Sequence, residues 1–343
     1  VIDLLVAGGG PAGLATAIHA ARAGLDVVVA EPRPGPVDKA CGEGLMPSAV
    51  RRLAALGVDV PGATLHGIAY LDGRHRAEAR FRGAPGRGVR RTALHAALAE
   101  TAAGLGVRTL PLRVDGVRQD ARSVTAAGIT ARYLAAADGL HSPLRRALRL
   151  GTDGGPAAAG ERPARYGLRR HFAVPPWSDV VEVHWSARAE AYVTPVGPDL
   201  VGVAVLTADR GPFAAHLAAF PRLLERLPAQ AATAARGAGP MRQRVRARRA
   251  GRVMLVGDAA GYVDALTGEG VAVALAAAEQ LVRCVLADRP QDYDAAWRRV
   301  TRDYRLLTGS LLWLRDRPWS ARRIVPAAAR CPALFSAAVN RQS

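Results

Sequence analysis

Gly8, Gly10 and Gly13 stand at G-x-G-x-x-G spacing just after an apolar run, Ile2 to Ala7, and a second apolar run, Leu25 to Ala30, ends in Glu31. Residues of these types at this spacing can hold a phosphate. Gly8 permits a tight turn, Gly10 lets a pyrophosphate approach the backbone, and Gly13 lets helix and strand pack closely. Pro11 and Ala12 belong to the same loop, and an alanine-rich helical pattern then runs to Ala23. The first amides of such a helix are unpaired and carry positive potential. An acid at the end of the second strand accepts hydrogen bonds from a ribose. Strand, glycines, helix, strand and acid follow one another in the order a dinucleotide site needs. The plainer alternative is a glycine-rich turn in some other α/β protein.

Two distant segments repeat this chemistry. Ala137-Asp138-Gly139 is followed by Ser142 and Arg145. Gly257-Asp258-Ala259-Ala260 is followed by Gly268, Gly270 and Val271, where a second glycine turn opens a helix. On the residues alone Asp258 reads as a helix N-cap. Between Glu31 and the next helix lie Pro32, Arg33 and the segment Cys41-Gly42-Glu43-Gly44-Leu45-Met46-Pro47, whose glycines allow backbone to lie close to a bound group. Cys41 has no cysteine near it in sequence, so packing is the modest reading beside a redox role.

The elements that must carry these residues follow from hydrophobic periodicity and turn chemistry. Residues 1–60 read as βαβ, a loop from Pro32 to Met46, and a helix from Pro47 to Leu56, with proline in its first turn. Ile68 to Leu71, the turn Asp72-Gly73, and Arg76 to Phe81 read as a β-hairpin. Arg91 to Gly104 is helical, and Val107 to Val117 and Arg122 to Ala136 read as a meander of short strands. Residues 151–160, rich in Gly, Ala and Pro, read as a linker. Strands are expected at Tyr166 to Val174, Val180 to Ser186, Ala191 to Val196 and Leu200 to Leu206, and a helix at Phe213 to Leu227. In the second of these strands Val181, Val183 and Trp185 share one face and Glu182, His184 and Ser186 the other, as in an antiparallel sheet with one packed face. Val253 to Val256 is a buried strand, Gly270 to Leu286 a long apolar helix, and residues 291–317 a basic amphipathic tail.

Bulk properties narrow the function classes. With 343 residues, half of them hydrophobic, the chain can bury a large core in one large or two modest domains. The net charge of +18 invites a nucleic-acid reading. It fails on distribution: Lys39 is the sole lysine, arginine is scattered throughout, and the one dense run, Arg242 to Arg252, lacks interleaved aromatics. That run reads as a solvated basic face. Cys41, Cys284 and Cys331 form no metal-type spacing, so no metal site is expected and a reducing cytoplasmic compartment is. No apolar run reaches the ~18 residues of a membrane span. The sequence enters a strand at once and begins at Val rather than Met, so no signal peptide is expected within it.

Taken together, the three glycine- and aspartate-bearing motifs resemble those of the flavoprotein monooxygenases of the p-hydroxybenzoate hydroxylase type, and of the wider group that contains geranylgeranyl reductases and flavin-dependent halogenases. The resemblance covers nearly the whole chain to about residue 290. It implies an α/β fold with a discontinuous Rossmann-like FAD-binding domain (residues 1–63, 88–150 and 247–290), an inserted antiparallel-sheet substrate domain (64–87 and 151–246) and a helical C-terminal tail (291–343). It implies FAD in an extended conformation. Glu31, flanked by Pro32 and Arg33, would bind the adenosine ribose and Arg91 would sit near the pyrophosphate. Asp138 and Gly139 belong to the same set, with Gly257 and Asp258 on the ribityl chain. Gly268, Gly270 and Val271 would begin a helix beneath the isoalloxazine. Cys41, Gly42, Glu43 and Gly44 are similar to the loop that lies along the flavin in geranylgeranyl reductases.

One departure bears on the reaction. Geranylgeranyl reductases carry Tyr-x-Trp-x-Phe-Pro and halogenases Trp-x-Trp-x-Ile-Pro, whereas this chain has Ala191-Tyr-Val-Thr-Pro-Val-Gly197. Halogenases also need a catalytic lysine, and Lys39 lies in the flavin loop, which disfavours halogenation. The resemblance therefore implies an FAD-dependent monooxygenase that hydroxylates an aromatic or phenolic, polyketide- or lipid-like compound through a flavin C4a-hydroperoxide, as in tailoring flavoproteins of actinobacterial type III polyketide clusters. The alternative is a reductase that saturates isoprenoid double bonds. O₂ would be a co-substrate. NADH or NADPH would be a transient reductant, since there is no second dinucleotide fingerprint. His171, His184 and Tyr192 are candidate bases to ionise a phenol, with none assigned. Leu311, Leu312, Trp313 and Trp319 in the basic tail suit a lipid-like substrate or peripheral membrane contact, or simple packing on the body.

Overall fold

The computed structural model describes residues 1–152 and 163–341. Of the stretch expected as a linker, residues 153–160 lie outside the described residues. The chain opens with β1 (Ile2–Ala7), α1 (Pro11–Arg22), β2 (Val27–Ala30), β3 (Gly44–Leu45) and α2 (Pro47–Ala55). It continues through β4 (Ala63–Leu65), β5 (Gly67–Leu71), β6 (Arg76–Arg80), β7 (Gly86–Gly88) and α3 (Arg91–Gly104). Then come β8 (Arg108–Leu110), β9 (Arg118–Gln119), β10 (Val124–Ala126), β11 (Ile129–Ala136) and α4 (Pro143–Ala147). The second half begins with β12 (Tyr166–Phe172), β13 (Val181–Trp185), β14 (Ala189–Gly197), β15 (Leu200–Thr207), α5 (Phe213–Leu217) and α6 (Pro221–Leu224). It ends with β16 (Arg236–Ala238), β17 (Arg249–Ala250), β18 (Val253–Leu255), α7 (Gly270–Leu286), α8 (Tyr293–Val300), α9 (Arg302–Arg315), α10 (Pro318–Ala321), α11 (Ile324–Arg330) and α12 (Pro332–Asn340).

The first sheet runs β17-β18-β11-β1-β2-β8, with parallel pairing from β18 to β8. Its inner strands are unbroken apolar runs because both faces are covered, as parallel sheets require. Leu4, Leu5 and Val6 of β1, Leu134 of β11 and Leu255 of β18 are fully buried. Helix α1 packs against α3 and α7. Alanine dominates the contact faces, which lets the helix backbones approach closely. Proline begins α1, α2 and α4, where its missing N–H has no partner to lose.

The second sheet runs β16-β12-β15-β14-β13-β5-β6. It is mixed rather than wholly antiparallel, because the hairpin β5–β6 joins β13 through a parallel pairing, with Ile68 opposite Val181. A small third sheet, β3-β7-β4, carries the loop after β2 onto the second sheet. There Gly88 is required: a Cβ would run into the carbonyl oxygen of Pro195 in β14.

Several expectations need correction. The face of Glu182 is not solvated. Glu182 is buried, its carboxylate taken by Arg76, Trp177 and His184, so both faces of β13 are covered. Burial pushes this carboxyl up, but those hydrogen bonds outweigh it and bring it down to about 2. The helix expected over 213–227 is two short helices, because Pro221 cannot continue the first and starts the second. Of the strand expected over 107–117 only Arg108–Leu110 forms, and it joins the parallel sheet beside β2 rather than a meander. The tail breaks at Thr301 into α8 and α9. The arginine run 242–252 is only partly a solvated face. Arg246, Arg248 and Arg252 donate to the carbonyls of Arg149, Ala260 and Ala121.

Candidate functional site

A groove of about 550 Å³ lies between the first and second sheets. Its floor comes from the first sheet: the turn Gly10–Ala12 after β1, Asp138–Gly139 after β11, and Gly257–Asp258 after β18. These are the carboxyl ends of adjacent parallel strands, where open α/β sheets bind ligands. The loop Lys39–Gly44 forms one side, Arg91 the start of α3, and Gly268, Gly270 and Val271 the start of α7. The opposite wall is apolar: Ile68 and Tyr70 from β5, Val181 and Val183 from β13, Ala204 and Leu206 from β15. Leu307 and Leu311 of α9 and Phe335 and Val339 of α12 close it.

The glycines of the first turn divide into two kinds. Gly8 has φ 110°, and a Cβ there would stand 2.5 Å from the Ala137 carbonyl oxygen. A Cβ on Gly13 would collide with the Gly8 carbonyl oxygen. Both positions are closed by the fold itself. A Cβ on Gly10 would meet only the Arg91 guanidinium, at 3.9 Å. Gly10 occupies the N-cap of α1 with no side chain bonded to the first amides and no acid in the first turn. The helix thus presents free N–H groups, and Arg91 stands beside them, as an anion site requires.

Glu31 is buried at the end of β2. Its Oε2 accepts from the Gly9 N–H at 2.9 Å, and its Oε1 from the Arg33 N–H at 3.1 Å and from Arg33 Nε at 2.7 Å. Burial pushes its pKa up, but the Arg33 and Gly9 bonds hold it below the ordinary carboxylate range.

Arg145 ties the loop that carries Asp138 to the loop that carries Asp258, through the Leu140, Asp258 and Ala259 carbonyls. Asp138 Oδ2 accepts from the Leu144 N–H at 3.0 Å, and Ser142 caps α4 by accepting from the Arg145 N–H at 2.9 Å. The Arg145 guanidinium reaches across to the carbonyls of Asp258 and Ala259 at 3.2 and 3.1 Å. Asp138 Oδ1 is buried without a partner. The Asp258 side chain caps no helix, which removes the N-cap reading. It lines the groove, where burial pushes its pKa up against the opposing pull of Lys39, Arg91 and Arg145.

Glu43 has a role the sequence did not expose. Its backbone has φ 60° and its carboxylate turns inward. Oε1 accepts from the Arg91 N–H at 2.8 Å, Oε2 lies 2.6 Å from His171 Nε2, and Arg169 stands 3.8 Å from Oε1. Arg169 also bonds Asp38. Thr194 of β14 donates to the Gly42 carbonyl at 2.8 Å. The loop is therefore bolted to α3 and to the second sheet at once. Cys41 lies in it with its Sγ 3.4 Å from the Glu43 N–H, and burial raises the thiol's pKa. Cys41 is a free cysteine, which suits the packing reading.

Of the candidate bases, His171 is held in this network and His184 by Glu182, and neither lines the groove. Tyr192 does line it, but its hydroxyl donates to the Leu266 carbonyl at 2.7 Å and burial raises its pKa well above the ordinary value. Lys39, Tyr70 and Tyr262 border the groove and were not singled out as site residues by sequence reasoning. Lys39 could have been found as the one lysine of the chain. The tyrosines carry no such signal.

Residues 2–182 match the family described as FAD binding domain. A menaquinone reductase of Mycolicibacterium smegmatis is 29% identical over 344 aligned positions, which cover 88% of this chain and 80% of that protein. Among solved structures, a flavoprotein/dehydrogenase from Cytophaga hutchinsonii superposes with a TM-score of 0.79 at 18% identity, over 99% of this chain and 96% of that one. The halogenase PltM, solved in complex with phloroglucinol and FAD, gives a TM-score of 0.77 at 15% identity over 98% and 82%.

Proposed function

This chain belongs to the FAD binding domain family and is an FAD-dependent oxidoreductase; from that premise we propose that it reduces carbon–carbon double bonds in an isoprenoid-bearing, quinone-like lipid. The observation that carries this reading is the groove itself. Its substrate side is apolar from β5 across to α12, and none of His171, His184 and Tyr192 is available there to ionise a phenol. The near full-length likeness to a menaquinone reductase supports it.

The residues fit the cofactor. Gly10 leaves room at the uncapped start of α1 for a pyrophosphate, Arg91 adds a cation beside it, and the orphaned Asp138 Oδ1 awaits a donor. In this reading Glu31 holds the adenosine ribose, and Asp258, with Gly257, the ribityl chain. Gly8, Pro11, Ala12, Gly13, Pro32, Arg33 and Gly139 shape that half of the cradle. Cys41, Gly42, Glu43 and Gly44 lie along the flavin, and the amides of Gly270 and Val271, at the start of α7 beside Gly268, favour negative charge at its edge. Bound FAD supplies the hydride chemistry. The chain's own contribution is to exclude water with Ile68, Val183, Leu206 and Phe335 and to hold an alkene against the cofactor in a dry site. Tyr70, whose hydroxyl burial pushes up to about 12, keeps its proton throughout.

A second reading, hydroxylation of an aromatic ring with O₂, is favoured by one observation: β14 carries Tyr192-Val-Thr-Pro195 where the reductases have Tyr-x-Trp-x-Phe-Pro. Oxygen separates the two. Holoprotein reduced with dithionite under argon and given a polyprenylated naphthoquinone should yield a product that, after the ring is reoxidised in air, is still heavier by two hydrogens in its prenyl chain. A product that forms only in air with a nicotinamide donor and gains one oxygen atom would replace this reading with the hydroxylase.

A further inference from the structure

Helix α9 has two differently used faces. Thr301, Tyr304, Thr308 and Leu312 are buried, and Leu307 and Leu311 line the apolar groove. The remaining stripe, Arg302, Leu306, Ser310 and Trp313, faces outward at helical spacing, with Arg317 beyond it. Leu306 is 58% and Trp313 44% exposed. Trp319 of α10 is 58% exposed and stands edge-on to Trp313, ring centroids 6.5 Å apart. The Arg317 guanidinium stacks on Trp313 at 3.8 Å. Helix α12 repeats the division: Phe335 and Val339 line the groove, while Leu334 is 71% exposed.

Large apolar side chains left outward by the very helices that roof an apolar cavity are unusual on a protein surface. Their setting selects a partner. Residues 291–343 hold ten arginines against four aspartates, with no lysine or glutamate. Arg298, Arg299, Arg302 and Arg305 surround one open depression beside Leu306. Tryptophan and leucine at the level of a cationic rim match the headgroup boundary of an anionic bilayer.

We propose that the outer face of α9, α10 and α12 docks on anionic lipid bilayers, so that an apolar substrate passes from the bilayer past these helices into the groove. The proposal rests on the lipid-substrate reading above only for its second half. Docking has its own readout.

The test uses the full FAD-loaded chain with vesicles of phosphatidylglycerol and phosphatidylcholine, or of phosphatidylcholine alone. Wild-type protein should sediment with the anionic vesicles, release as salt is raised, and show a blue shift of tryptophan emission. The double variant Trp313→Ser/Trp319→Ser should bind about tenfold more weakly or worse. It should keep its flavin and its turnover of a short-chain, water-dispersed substrate while losing turnover of a vesicle-embedded one. Failure of the wild type to sediment with anionic vesicles overturns the docking, as does equal sedimentation of the variant. A dimer of wild-type protein that the double variant breaks would assign the face to a second copy of the chain instead. If neither protein turns over any isoprenoid substrate yet vesicle binding behaves as stated, the substrate reading falls and the docking stands.

Discussion

Nε2 of His171 lies 2.6 Å from Oε2 of Glu43, with both side chains enclosed. The other ring nitrogen, Nδ1, faces Nη1 of Arg169 at 3.2 Å. A guanidinium only donates, so Nδ1 accepts and the proton resides on Nε2, pointing at Glu43. The carboxylate thereby accepts hydrogen bonds from the His171 Nε2–H and the Arg91 N–H, with Arg169 close by. Replacing Glu43 by alanine strands these donors in a buried space. It should cost about 3–5 kcal/mol of stability, read by urea unfolding, and should lower flavin occupancy. Glu43→Gln keeps the shape and should cost clearly less. A loss below about 1 kcal/mol in the alanine variant would show that the network does not hold the loop.

The two kinds of glycine in the first turn should separate folding from cofactor binding. Gly10→Ala adds a methyl group that faces only the groove, at ordinary φ (−74°). Its thermal midpoint should match wild type, while FAD affinity, followed by flavin fluorescence quenching, should fall about tenfold or more. Gly13→Ala drives a methyl group into the Gly8 carbonyl and should destabilise the apoprotein by roughly 1–3 kcal/mol or more. Unchanged FAD affinity in Gly10→Ala would refute the placement of the pyrophosphate.

Glu269 sets a pH dependence of opposite sign to the usual carboxylate. It is buried at the N-cap of α7, its Oε2 has no partner, and burial raises its pKa from 4.5 to about 7. Between those values the folded state binds more protons than the unfolded one. Stability therefore falls as pH rises through that window, by about 3 kcal/mol in all, and is flat above it with respect to this group. Glu269→Gln should remove that slope and be the more stable protein at pH 8, by denaturant unfolding at several pH values. An identical slope in both proteins would exclude Glu269 as its source.

Legibility from sequence followed the range of the interaction. Helices α3 and α7 and the β1-α1-β2 unit were read with correct ends or nearly so, because glycine turns and apolar periodicity are local signals. The hairpin β5–β6 was read, but not its partner: nothing in Ile68–Leu71 names Val181–His184 as the parallel neighbour. Glu182 was read as solvated because alternation reports the pattern of a strand, not what later covers its polar side. Three strand ends of one sheet bring Gly10–Ala12, Asp138–Gly139 and Gly257–Asp258 to one groove, whereas Gly8, Gly13, Glu31, Pro32 and Arg33 do not line it. The C-terminal roof of that groove, Leu307 and Phe335, could not be foreseen. The helix of Leu307 read as part of an amphipathic tail and that of Phe335 only as helical tail, and the surface they cover is made of residues from far earlier in the chain.

The seat of β18 between β11 and β17 has a consequence for biogenesis. The parallel sheet begun by β1 and β2 stays open along β11 until residue 255 has been delivered, and α1 lacks its α7 neighbour for about thirty residues more. Order of synthesis and order of assembly therefore differ. The nascent N-terminal half must wait, with an unpaired strand edge in need of shielding, while the five remaining strands of the second sheet, β12 to β16, are made.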